Sequence, residues 1–399
     1  MSNINLECNA NDLFEAGAIF IFLDVPPNTE FGIDYNCWRT GENFKGVKMI
    51  PPGLHFVYYN VTDKYGNVGL RNGFFYDFKF KEILAKKWDP QSESIDESYR
   101  FSDEEMERFE LNKKNMDRFL GAYPFDEYKR WKSLTNNLNE KFLKKLLPVN
   151  KIISSGSSLI GNKFVSKSTM NKKSENVLSN KEDIIVNTDL LKKPTSLKEA
   201  EKMLPEMKEE ENTMIRFTNI VSADCYPKGS MPSEITKGLI DQSYKLELLI
   251  NKNYSDQPLN ILCELQFAFV CFLIGQVYDG FEQWKLLINL LCNAEQAISN
   301  HPNLFQKFIQ CLYFQLKEIP DDFFTDITTR ENFLAVNLHN LFDNIKQVQN
   351  ENVSSELSQL NEKCLQFKNY LQEKFQLDFD LEPDEYAPVV VSSEEINGL

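Results

Sequence analysis

The chain has 399 residues, 42% of them hydrophobic and 13% aromatic, with 44 basic against 59 acidic side chains and a net charge of −15. That apolar content excludes wholesale disorder, and the length suggests two or three domains. The acidic excess argues against a general nucleic-acid binder, because neutralising phosphates needs clustered Lys and Arg.

The first residues, 1–7, lack a basic start followed by an apolar run, so no signal peptide is expected. Residues 18–88 read as short strands broken by turns. Ala18 to Leu23 is a compact apolar run bounded by Gly17 and by Pro26-Pro27, and residues 54–59 follow the turn Pro51-Pro52-Gly53. In 74–80 every second residue is aromatic (Phe74, Tyr76, Phe78, Phe80), which predicts a half-buried strand with Asp77 and Lys79 on the solvent side. Short strands between Gly/Pro/Asn turns indicate an antiparallel, sandwich-like arrangement. Ser102 and Glu105 have the spacing of a capping box, and Met106 and Phe109 share one face of the helix it opens. A further helix is expected from Pro124.

Residues 150–195 change character. Serines accumulate, Phe164 is the sole aromatic, and eight Lys oppose four acidic residues, which reads as a flexible tether. Beyond Glu206 a helical period dominates. Ile235, Leu239, Leu246 and Leu249/Ile250 are expected on one face. Phe281, Trp284, Leu287, Leu291, Ala294 and Ile298 line the next. Phe305, Phe308 and Leu312 mark a helix opened by Pro302 and closed before Pro320. Leu334 to Val348 and Val353 to Leu371 supply two more, with steps that favour antiparallel bundle packing. The apolar stretch 259–278 contains Glu264, Gln266 and Gln276, so it reads as a buried helix and not a membrane span. After about Gln376 the chain is acidic, without Lys or Arg, and holds the strand-forming segment Tyr386-Ala387-Pro388-Val389-Val390-Val391, which has nothing local to pair with.

The fold class is therefore α+β multidomain: an antiparallel β-rich domain with flanking helices (1–148), a Ser/Lys-rich linker (149–205), an all-α domain (206–376) and an extended acidic tail (377–399). Each folded part has its own apolar periodicity and is expected to survive separation.

Chemistry is hard to find. Gly156 to Lys163 lacks the Lys-Ser/Thr ending of a phosphate loop. His55, His301 and His339 have no second ligand at metal-site spacing, so no metal or other cofactor is expected. The eight cysteines contain no CxxC and read as reduced thiols of the cytosol or nucleus. The alternative reading is an enzyme with a thiol or hydrolase site in the β domain, around Asp34, Cys37 and His55.

One set of motifs goes beyond the generic. Pro27-Asn28-Thr29-Glu30-Phe31-Gly32-Ile33-Asp34-Tyr35-Asn36-Cys37-Trp38, Ile50-Pro51-Pro52-Gly53-Leu54-His55-Phe56 and Arg71-Asn72-Gly73-Phe74-Phe75 resemble the N-terminal domain of the AAR-two splicing factors. Glu264-Leu265-Gln266-Phe267, Trp284-Lys285, Glu318-Ile319-Pro320 and Ala387-Pro388-Val389-Val390-Val391 extend the resemblance to the second half. What the family implies is a non-enzymatic assembly factor of the U-five snRNP, shared between cytoplasm and nucleus. It would bind the spliceosomal scaffold protein Prp-eight through its RNase H-like and JAB/MPN-like domains and be displaced later. The implied helical domain is VHS-like, and the implied partner-binding residues are the tail strand Tyr386 to Val391, added to the scaffold as a β-strand. Neither direct sequence-specific nucleic-acid binding nor a membrane is implied.

Overall fold

In the computed structural model, which describes residues 10–62, 67–156, 159–161, 207–209, 211–321, 333–351 and 354–375, the first apolar run is strand β1 (Ala18–Leu23), entered from helix α1 (Ala10–Ala16). Strands β2 (Glu30–Ile33), β3 (Asn36–Arg39), β4 (Gly46–Ile50), β5 (Gly53–Thr62), β6 (Val68–Phe78), β7 (Ile83–Asp89) and β8 (Ser94–Ile95) follow. Helices α2 (Asp103–Leu111) and α3 (Lys113–Met116) come next, then strand β9 (Leu120–Ala122), helices α4 (Tyr128–Thr135) and α5 (Glu140–Leu146), and strand β10 (Ile153–Ser154). These strands form two five-stranded sheets, ordered β8-β7-β1-β4-β9 and β10-β6-β5-β2-β3. Strand β10 lies inside the stretch assigned to the linker and pairs with β6, Ile153 opposite Gly73. Separately, within 157–214, strand β11 (Leu159–Gly161) pairs with β12 (Met207–Glu209).

Most pairings are antiparallel, as expected, but β1 runs parallel to β7 and β4 parallel to β9. Strand β1 is buried on both faces. Phe20 and Phe22 point between the sheets, whereas Ile19 and Ile21 face outward beneath Leu120, with Phe109 and Met116 packed against them. A strand covered on both sides reads as a continuous apolar run, not an alternating one. The cover is α2, whose capping box forms as predicted: Ser102 Oγ accepts from Glu105 N, and Glu105 returns a carboxylate to Ser102 N. Gly46, at φ +136°, is required where β4 meets β1, since a Cβ there would lie 1.9 Å from the Phe20 carbonyl oxygen.

Strand β6 departs from its predicted pattern. Phe74, Tyr76 and Phe78 do belong to the intersheet core, but Phe80 lies past the strand end and is half exposed. On the other face Phe75 is shielded from most solvent. It is buried with Phe56, and its ring centroid sits 5.5 Å from that of Phe267 in the helical part.

The helical part contains α6 (Pro232–Ile240), α7 (Ser243–Lys252), α8 (Asn260–Leu273), α9 (Tyr278–Cys292), α10 (Glu295–Asn300), α11 (Pro302–Glu318), α12 (Phe333–Glu351) and α13 (Ser355–Phe375). The Pro302 start and the end before Pro320 are as predicted. The face drawn from Ile235 to Ile250 is broken between α6 and α7 at Asp241, whose carboxylate accepts from Ser243 N, Ser243 Oγ and Glu295 N. Leu239 and Ile240 are exposed and do not join the core. The next predicted face is likewise broken between α9 and α10.

A single apolar cluster runs from the outer face of β5 and β6 (Phe56, Tyr58, Phe75) through Trp131, Phe142 and Leu146 into α8 and the helices around it. Trp131, fully buried, donates its indole N–H to the Leu54 carbonyl at 2.8 Å. Residues 1–156 and 215–399 accordingly count as one compact unit. The expectation of separable halves therefore meets a shared core. Cutting at 148 strands Phe75, Phe142 and Phe267 in water, and truncating one buried Phe alone costs about 3–5 kcal/mol. Fragments 1–148 and 206–399 should each fail to melt cooperatively when expressed alone, while co-expression should restore one sharp transition. Two independent sharp transitions in calorimetry would contradict this.

Candidate interaction surfaces and buried polar clusters

Asp34 and His55, singled out from sequence, do come together, and Cys37 does not join them. Asp34 opens the two-residue turn between β2 and β3 at φ +55°, a conformation Asp tolerates because its short side chain bonds locally. Its carboxylate accepts from His55 Nδ1 and Tyr123 OH, each at 2.6 Å, and from Phe56 N at 3.0 Å. The other ring nitrogen of His55 lies 2.7 Å from the Pro51 carbonyl oxygen. Both Asp34 and His55 are buried, so no substrate reaches them, and the cluster ties the β2–β3 turn to β5 and β9. Cys37, an exposed residue of β3, instead neighbours Glu30, Arg71 and Tyr58; partial desolvation of its sulfur first, and then Glu30, push the thiol up to about 12. A nucleophile has to be a thiolate, so this position is set against the chemistry. Among the described residues no group of three His, Cys, Asp or Glu is placed to hold a metal ion, and no helix is long and apolar enough to cross a membrane. Cys37→Ala should change stability by less than about 0.5 kcal/mol, whereas Asp34→Ala should cost about 3–5 kcal/mol by leaving buried donors unpaired. Urea melts of the two variants check both figures.

Polar anchors join the two parts of the fold. The Arg71 guanidinium donates to the Ile274 carbonyl at 2.7 Å, to Glu30 at 2.7 Å and to Asn60 Oδ1 at 3.0 Å, and lies 4.5 Å from the Tyr58 ring centroid. Ile274 follows α8, so the cation meets the negative end of that helix. Arg130, stacked 4.0 Å from the Tyr35 ring centroid, donates through Nε to Glu318 at 2.8 Å, joining α4 to the end of α11.

The polar side chains of α8, which argue against a membrane span, also carry the chain crossings. Gln266 accepts from Asn137 N and donates to Asn136 Oδ1, fixing the end of α4. Glu264 accepts from Thr218 N at 2.7 Å, Thr218 Oγ1 at 2.8 Å, and Tyr254 OH and Gln283 Nε2 at 2.9 Å each. It thereby holds the segment where the chain returns from its Ser/Lys-rich stretch. Burial pushes the Glu264 carboxyl above its ordinary range, against the pull of these donors. A carboxyl with a raised folded-state pKa favours the fold below its unfolded value of about 4.3, and that contribution is lost as pH rises through the folded value. Glu264→Gln should cost about 1–3 kcal/mol, and its deficit relative to wild type should narrow as pH rises from 5 toward 8 (roughly). A deficit that widens with pH, measured by urea melts, would mean that the donors outweigh burial.

Among the described residues, exposed apolar surface includes a helix face and a groove. Helix α6 has no buried residue and presents Leu239 and Ile240 to solvent, beside exposed Met231. Between α11 and α13 lies a groove of about 510 Å³, walled by Ile309, Tyr313 and Tyr370, with Gln306, Gln310 and Lys363 among its polar lining. The tail residues Tyr386 to Val391, expected to bind the partner, lie outside the described residues.

The AAR2 N-terminal domain family matches residues 16–148, and the AAR2 C-terminal repeat region matches residues 217–380. The chain is 40% identical over 384 residues to the Protein AAR2 homolog of Homo sapiens, spanning 96% of this chain and 95% of the relative. It is 35% identical over 376 residues to the Protein AAR2 homolog of Caenorhabditis elegans, spanning 92% and 96%. It is also 23% identical over 332 residues to the A1 cistron-splicing factor AAR2 of Saccharomyces cerevisiae, spanning 80% and 82%. Similarity of this extent, from strand β1 to the end of α13, makes the chain a member of the AAR2 family.

Proposed function

We propose that the chain is a non-enzymatic pre-mRNA splicing factor, an assembly chaperone that holds a Prp-eight-type scaffold in a precursor of the U-five snRNP and is later displaced. The observation that carries this is the 40% identity across nearly the full length of both chains, in a family whose yeast member is named a splicing factor. The scaffold's RNase H-like and JAB/MPN-like domains are the binding partners, no cofactor takes part, and the protein works in cytoplasm and nucleus. The enzyme reading is disfavoured by the distance in the fold between Cys37 on β3 and the buried Asp34–His55 pair, and by the full commitment of both His55 ring nitrogens. The Ser/Lys-rich stretch beyond β11 acts as a tether, and the acidic surplus of the chain steers it toward basic protein surface.

Tyr386 to Val391 engages the scaffold by strand addition. Val389, Val390 and Val391 are β-branched, suited to a pleated backbone, and main-chain hydrogen bonds supply affinity while alternate side chains supply specificity. Affinity capture of the full chain followed by mass spectrometry should recover one large spliceosomal scaffold protein in stoichiometric amount; recovery of none sinks the proposal. Val390→Pro removes one amide donor without changing charge. It should weaken scaffold binding about tenfold, roughly the 1.4 kcal/mol of one well-made hydrogen bond and its fit, with the melting temperature unchanged. Earlier melting with normal binding would place the valines on the protein's own core instead.

A further inference from the structure

The groove between α11 and α13 is open at the surface and lined by residues of both helices. The two helices run parallel: Lys363 Nζ donates to Gln306 at 3.1 Å near their starts, and Lys374 Nζ donates to the carbonyls of Leu316, Lys317 and Ile319 near their ends. The walls are aromatic and aliphatic, with the Tyr313 and Tyr370 ring centroids 4.7 Å apart. Its polar lining is mostly side-chain amide, and an amide offers both donor and acceptor, which suits a backbone with unpaired N–H and C=O groups. Lys363 is the charged group among the described lining residues.

Helix α13 ends at Phe375, and the sequence beyond it alternates strictly: Leu377-Asp378-Phe379-Asp380-Leu381-Glu382, then Pro383. A period of two puts Leu377, Phe379 and Leu381 on one face of an extended chain and the three carboxylates on the other. The lengths agree. From the end of α13 back past Tyr370 to Lys363 is twelve residues of helix, about 18 Å at about 1.5 Å each. Six extended residues, 377–382, span about 20 Å at about 3.3 Å each.

We propose that residues 377–382 of this same chain turn back at the end of α13 and occupy the α11–α13 groove as an extended strap. Leu377, Phe379 and Leu381 face Tyr313, Tyr370 and Ile309, and the carboxylates face outward with Asp380 or Glu382 near Lys363. The strap anchors the root of the tail to the helical part and leaves residues 386–391 outside the groove. It is read from the groove and from residues 377–383 alone and does not depend on who the partner is.

Hydrogen exchange of the full-length chain, without partner, tests this. Amides of 378–382 should exchange at least about tenfold more slowly than an unstructured chain, the signature of a locally ordered segment. Tyr370→Asp, on the groove wall, and Lys363→Glu, on its rim, should each reduce that protection while the melting temperature of the whole chain stays within a few degrees. Adding Asp380→Lys to Lys363→Glu should recover part of it. Unprotected amides in the wild type would overturn the proposal, as would protection that neither groove variant alters. Protection that rises with protein concentration would also overturn it, by assigning the groove to a second copy.

Discussion

A helix with no exposed face has to find partners inside the protein for every polar side chain it carries. Helix α8 is buried along almost its whole length, yet it carries Asn260, Glu264 and Gln266. Each of these reaches a different passing segment. Asn260 takes the Asn139 amide at 3.2 Å and gives its own to the Tyr254 carbonyl, Glu264 takes the returning chain at Thr218, and Gln266 takes the end of α4. The β-rich part and the helical part thus meet on a rod whose apolar surface supplies the adhesion and whose few polar groups supply the register. Adhesion alone would let α4 and α5 slide along α8. Satisfying buried amides and a carboxylate permits one alignment, because a slip leaves them unpaired at a cost of about 1–3 kcal/mol apiece.

The same logic explains what the sequence showed and what it hid. Strand β1, the capping box at Ser102 and the long helix closing the described fold were legible, because each is specified by neighbours in sequence. The antiparallel expectation failed at β1–β7 and β4–β9, since parallel pairing is set by a distant crossover. The helical period ran unbroken through Asp241 and Asn293 because apolar spacing does not register a capping carboxylate or a change of helix axis. Most instructive is Phe75. Alternation assigns its face to solvent, but that face carries Phe75 between Gly73 and Asp77, and one large aromatic there is the available sign of a second packing partner. Glu264 and Gln266 gave a similar sign: a polar residue in an apolar helix excludes lipid, and by the same physics it demands a specific acceptor or donor.

The candidate residues divide in the same way. Asp34 and His55 were brought together by a turn and a strand pairing that their separation in sequence does not reveal. Once together they form a closed cluster whose every polar atom is spoken for by the fold. Arg71, one residue of the Arg71-Asn72-Gly73-Phe74-Phe75 motif, makes contacts on both sides of the junction between the two parts. An arginine is suited to that position, because its planar fork addresses a carbonyl, a carboxylate and an amide at once while its flat face rests on Tyr58.

The Ser/Lys-rich stretch leaves and re-enters at fixed points. On the outgoing side Ser155 Oγ accepts from Arg71 N, and on the incoming side Arg216 N donates to the Leu146 carbonyl while its side chain reaches the Leu147 and Lys144 carbonyls. With both ends pinned, the thermodynamic cost of the intervening loop depends only on the logarithm of its length, about 0.6 kcal/mol for each doubling. Insertions and deletions between β11 and β12 are therefore nearly neutral to the fold. A change of length there alters the closure cost far less than it alters how far the two ends of the stretch can reach.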